Sequence, residues 1–186
     1  SDVTVRGSVK QKQDGGTGNT QKMGVGNVAG AGKSKVDTGA LTQTQTGGTG
    51  SEQGMSLGNV AGTGKSNVKT GTVTQTQTGG MRAVQDAKIG DVKGSGTSNV
   101  RTGNVSQTQT DASLSKQTMG VGNVEGGGTS KVSIGGPVGQ TQKGTLNTQD
   151  LQVGNVKGSG TSNVDVKGGI TQQQEGRGNT QSTNIG

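Results

Sequence analysis

Hydrophobic and polar residues alternate along this chain in short runs, and the runs return every 32 residues. In the second copy, residues 34–46 alternate as a strand does, with Leu41, Gln43 and Gln45 on one face and Thr42, Thr44 and Thr46 on the other. After a Gly-Gly turn at 47 and 48, a second alternating stretch sets Gln53, Met55, Leu57 and Asn59 on a common face. Gly62-Thr63-Gly64 then supplies a tight corner. Each unit is therefore expected to run strand, arc, strand, arc.

The period holds through the whole chain. One column reads Gln21, Gln53, Gln85, Gln117, Gln149 and Gln181; another reads Asn27, Asn59, Asp91, Asn123 and Asn155. Six copies fit, at 1–32, 33–64, 65–96, 97–128, 129–160 and 161–186. Such a repeat predicts an all-β single domain: a β-solenoid in which each strand pairs with its equivalents above and below at about 4.8 Å, giving a body about 29 Å tall. Val36, Leu41, Met55 and Leu57 would form aliphatic ladders inside it. The columns Gln43, Gln75, Gln107 and Gln45, Gln77, Gln109, with the Gln53 and Asn59 columns, would form amide ladders. A buried amide without a partner costs about 1–3 kcal/mol, so each is expected to bond its own copy one rung away. Val138, Gln140 and Gln142 arrive one residue late, as do Ile170, Gln172 and Gln174. The surplus residue is expected to be absorbed as a bulge at Gly135-Gly136 and at Gly168-Gly169, because a one-residue slip would turn a whole face outward.

Composition narrows the chemistry. The 186 residues include no Phe, Tyr, Trp, Cys or His, and 22% are hydrophobic. A low-complexity chain with 40 Gly would ordinarily be disordered, but the constant phase of Val, Asn and Gln argues for order. Without Cys or His there are no disulfides, no Ser-His-Asp or Cys-His constellation and no ordinary zinc site, so neither enzyme nor cofactor is expected. The carboxylates sit at unrelated phases, and a solid stack of strands offers no cleft for a glycosidase-like pair. Gly30-Ala31-Gly32-Lys33-Ser34 echoes a phosphate loop, yet it returns as Gly62-Thr63-Gly64-Lys65-Ser66 before a strand rather than a helix, and reads as a corner. The net charge is +7, with basic residues spread over turns and outward positions and no aromatic platform for bases, so no specific nucleic-acid partner is expected. No run approaches the roughly 18 apolar residues of a membrane span. The N-terminus does not read as a signal sequence, and Ser1 lies in repeat phase, as expected of a mature chain whose leader is removed or omitted.

Ser66-Asn67-Val68, the Thr-Gln-Thr-Gln-Thr-Gly-Gly run at 74–80 and Gln85, with Gly58-Asn59-Val60 closing the preceding repeat, follow an order that resembles the repeats of curlins, the subunits of bacterial curli fibres. The resemblance implies a secreted functional amyloid of a biofilm matrix or adhesive surface, nucleated and exported by dedicated partners. Independently, Gly186 falls in the phase of Gly58 and Ser1 in that of Lys33, so the last strand of one molecule is expected to be followed by the first of another with the ladders in register. That arrangement predicts a head-to-tail homopolymer. The alternative is an ice-binding coil using the Thr arrays at 42, 44, 46 and 74, 76, 78.

Overall fold

The computed structural model describes residues 2–5 and 7–186. All the regular structure is strand, and every strand pairs in parallel with the equivalent strand of the neighbouring repeat. The β-solenoid and its stacked repeats are as the period predicts. Each turn of the coil, however, has four sides rather than two. The stretch 34–46 bends at Gly39-Ala40, so Lys33–Thr38 and Leu41–Thr46 belong to different sheets. Glu52–Leu57 forms the third side, and the two-residue strand Val60–Ala61 forms the fourth before the Gly62 corner. Equivalent strands of the other repeats extend these into three six-stranded sheets and one five-stranded sheet, called here the first to fourth sheets in chain order around the coil.

Like stacks on like. Leu41 pairs with Val73 and Val73 with Val105, while Gln75 stands between Gln43 and Gln107. The inward aliphatic residues merge into one elongated core in which Leu41, Val73, Ile89, Val121 and Leu151 are wholly buried. Val28, Val60, Val92 and Val124 make a smaller cluster behind the fourth sheet. Each rung buries only a few such side chains, at about 1.5–3 kcal/mol apiece, so the stack rather than the single turn is the folding unit.

The late residues are absorbed where expected, and then given back. Two residues separate Thr102 from Val105, but three separate Ile134 from Val138 and Val166 from Ile170. Further on, Gln109 pairs with Gln142 whereas Ala112 pairs with Gly144, so the surplus is cancelled beside Asp111, which takes a φ of 56°. The third sheet therefore returns to the original spacing, with Lys116 opposite Thr148. In the first repeat, Asp2 pairs with Lys35, an offset one residue longer than that of Val9 with Leu41. This displaces the simple phase that put Ser1 opposite Lys33; Ser1 itself lies outside the described residues.

Close backbone approach decides where glycine is required. A Cβ on Gly64 would lie 2.4 Å from Val28 Cγ1 and 2.6 Å from the Gly32 carbonyl oxygen, whereas one on Gly32 meets nothing nearer than Val28 Cγ1 at 3.6 Å. Gly64→Ala is therefore expected to cost about 1–3 kcal/mol and Gly32→Ala less than half as much. Urea midpoints of the two variants check this, and equal destabilisation would contradict the packing.

Candidate functional site

The most highly organised chemistry of the chain is the set of inward amides. In the second sheet, Gln43 Nε2 donates to Gln11 Oε1 at 2.8 Å, and the same bond climbs through Gln75, Gln107, Gln140 and Gln172 at 2.7–2.8 Å. The second N–H of each amide crosses the interior to a third-sheet carbonyl, as Gln43 does to Gly54 at 3.0 Å and Gln107 to Thr118 at 3.0 Å. The third-sheet column is equally continuous: Gln53 donates to Gln21, Gln85 to Gln53, Gln117 to Gln85, Gln149 to Gln117 and Gln181 to Gln149, at 2.7–3.0 Å. Gln53, Gln117 and Gln149 also reach back to second-sheet carbonyls at 3.3–3.4 Å. Every link has the same polarity, with the higher rung donating and the lower accepting. The two columns thus tie rung to rung along the axis and sheet to sheet across it.

The third Gln column is only partly a ladder. Gln109 donates to Gln77, Gln142 to Gln109 and Gln174 to Gln142 at 2.6–3.0 Å. Gln45, fully buried, bonds neither its copy nor any other group, and Gln77 Nε2 is likewise unpartnered. The bonded and unbonded members also differ in their contact with the adjoining turn. Carbonyls of Ala83, Ser115 and Asn147 come within 3.1–3.4 Å of Gln109, Gln142 and Gln174 and hold those amides in place. Nothing equivalent reaches Gln45 or Gln77.

The Asn column corrects the expectation more fully. Gly58, at φ 62°, turns the chain between Leu57 and Asn59, so the alternation breaks and the Asn59 position leaves the inward row. Asn27, Asn59, Asp91, Asn123 and Asn155 stand at an outward corner, and their bonds run mainly from side chain to backbone, with one side-chain link, from Asn123 Nδ2 to Asp91 Oδ1 at 3.2 Å. The Oδ1 of Asn27, Asn59, Asp91 and Asn123 each accepts the backbone N–H of the next member of the column at 2.8–3.1 Å. The Nδ2 of Asn27, Asn59 and Asn123 donates to the carbonyls of Ser56, Lys88 and Gln152.

One further tie was visible in the sequence only as a recurring Ser. The hydroxyls of Ser98, Ser130 and Ser162 each donate at 2.6 Å to a glycine carbonyl one rung below, namely Gly58, Gly90 and Gly122. Among the described residues, no three His, Cys, Asp or Glu side chains gather as metal ligands and no helix is long and apolar enough to cross a membrane. No protein-family model matches the chain, and no similar curated protein or solved structure was found.

Asp91 is the one acid in the Asn column. Burial raises its pKa from the ordinary 3.8 to about 6, against the opposing hydrogen bonds from Asn123 and the nearby Lys88 charge, with Asp86 adding to the rise. Its neighbours in the column use an N–H where Asp91, when ionised, offers only oxygen to Gly120, the partner of Lys88 in the next rung. The folded state thus holds the proton more tightly than the unfolded chain, so the Asp91 contribution is most favourable below about pH 4, declines as the pH rises through about 6, and is level above. Asp91→Asn is expected to remove that decline and to raise stability at pH 7 by on the order of 2–3 kcal/mol, with little change at pH 3.5. Denaturant titrations of both proteins across this range check the sign; a variant whose advantage is independent of pH would contradict it.

Proposed function

We propose that this chain is a structural subunit of an extracellular, amyloid-like fibre, serving a biofilm matrix or adhesion, and that its copies stack along the coil axis. The observation that carries this reading is the continuity of the two inner Gln ladders through every rung with one polarity. Gln53 Nε2 bonds both the Thr76 carbonyl and Gln21 Oε1, whereas Gln21 Nε2 bonds only the Thr44 carbonyl and keeps an N–H for an acceptor below. A second copy would supply that acceptor as Gln181 Oε1. Aliphatic residues on the outermost described rungs support the same reading: Val3 is 45% exposed and Ile185 63%, and a stacked copy would set Ile185 against Val25. Any rung accepts a copy of itself, so stacking does not depend on which rung is outermost.

The likeness to curlin repeats adds secretion, a nucleating partner and an export partner to this proposal. Its function is mechanical rather than catalytic. The ice-binding alternative draws on the outward Thr rows, where Thr42, Thr44 and Thr46 stand in register with Thr74, Thr76 and Thr78. The rows then decay: Ser106 and Gly139 continue the first column, and Lys143 and Glu175 the last. Ice contact would require a broad uniform grid, while the buried Gln columns persist where the Thr columns drift.

Purified protein is expected to form thioflavin-positive fibres in which rungs lie perpendicular to the axis. Gln53→Lys combined with Gln85→Lys should abolish them, because unpaired charges would be buried in the ladder. Gln181→Lys with Ile185→Lys, which leaves the interior of the coil intact, should fold normally and still block growth. Fibres formed by this second variant at the wild-type rate, or a wild-type chain that stays monomeric at high concentration under negative stain, would overturn the proposal. Thermal hysteresis from the soluble monomer would favour the ice-binding reading instead.

A further inference from the structure

The outward face of the first sheet differs in charge organisation from the rest of the coil. Ion pairs on the other three sheets match a lysine with an acid: Lys12 with Asp14, Lys22 with Glu52, Lys88 with Asp86, Lys93 with Glu125 and Lys143 with Glu175. On the first sheet, Lys35, Lys69, Arg101 and Lys131 are exposed, and among the described residues none of the four joins an ion pair. They come one per rung from four successive strands, so positive charge recurs about every 4.8 Å along the axis. The 32-residue period sets Lys69 in phase with Arg101 and Lys35 with Lys131, and the structure adds that both columns face one groove. Lys35 and Lys131 occupy one position of the strand and Lys69 and Arg101 the position two residues on, and the register sets Lys69 beside Arg101 and Asn99 beside Lys131.

The row lies in an open groove of about 480 Å³. Between the cations, Asn67 and Asn99 line the same groove, with Asn99 Nδ2 donating to Asn67 Oδ1 at 2.9 Å. Asp37 and Asp165 stand at its two ends and confine the positive stretch to the central rungs. Unpaired cations leave their charge available to a ligand, and neutral amides beside them offer hydrogen bonds to hydroxyl groups.

We propose that this groove binds an extended acidic polysaccharide laid parallel to the coil axis, its carboxylates meeting the cations rung by rung and its hydroxyls meeting the Asn side chains. A uronate chain carries one carboxylate per sugar and advances per sugar by about the height of a rung, which matches the charge spacing. Single-stranded nucleic acid fits less well, because its binding sites rely on aromatic stacking and this chain has no aromatic residue. The groove is on the flank of the coil, so it is present whether or not the chain stacks with its copies.

The test is titration of the 186-residue chain with oligogalacturonate at low salt, with neutral dextran and an oligothymidylate of equal charge run beside it. Binding is expected for the uronate, to weaken as salt rises and to be absent for dextran. Lys69→Gln, Arg101→Gln and Lys131→Gln together should weaken it by about tenfold or more, while the same charge loss on other faces, through Lys93→Gln, Lys116→Gln and Lys157→Gln, should weaken it by about threefold at most. Asp37→Asn with Asp165→Asn should tighten it. All these positions lie on strands with their side chains exposed, so the inward faces are untouched, and circular dichroism confirms retained structure in each variant. Equal losses in the two triple variants, oligothymidylate binding as tightly as the uronate, binding of dextran, or no uronate binding at low salt would each overturn the proposal.

Discussion

The side-chain amide of an inward Gln has two donors and an acceptor, and in this coil it has no water to satisfy them. One donor can cross to the opposite sheet, but the remaining donor and the oxygen point along the axis. Only another amide at the same height in the next rung completes them. An unsatisfied group there costs about 1–3 kcal/mol, comparable to the gain from burying one aliphatic side chain, so the amides set the register and the aliphatic residues fill the space between. Hydrogen bonds joined in such chains also polarise one another in a low-dielectric interior, which favours an unbroken column over isolated pairs.

Much of the remaining structure follows from keeping that vertical correspondence. The surplus residue before Val138 is confined to a corner, and the turn after Gln109 cancels it before the third sheet begins, so the Gln117 and Gln149 amides still meet. Glycine occupies positions where successive backbones nearly touch. Asn, Asp and Ser side chains stitch the corners by bonding backbone groups one rung away, outside the interior. Gln45 shows that stacking alone does not suffice: its amide is left unbonded even though its copies stand above and below.

A coil built this way has two kinds of surface. Its ends repeat the interior and suit a second copy, whereas its flanks are free to vary because no ladder passes through them. The Thr rows of the second sheet drift along the chain, the second and third sheets carry mostly paired charges, and the first sheet gathers unpaired ones. The proposed axial stacking and the proposed lateral binding of a polyanion therefore draw on different residues and would not compete.

Period, alternation and the absence of aromatic residues are all present in the linear order of residues, and together they determine a stacked β-coil with inward Gln columns, since no other arrangement pairs so many recurring amides. The two complete ladders through Gln43 and Gln53 were legible for that reason. The bend at Gly39, the outward turn of the Asn59 column, the failure of Gln45 and the single groove that joins the basic residues from Lys35 to Lys131 were not. Alternation tells which residues share a face only while the strand continues; where a corner interrupts it, the backbone dihedrals decide which way the next side chain points. Neighbours across rungs are likewise a matter of register, and charges offset by two positions in the chain become a continuous row only when the strands are laid side by side.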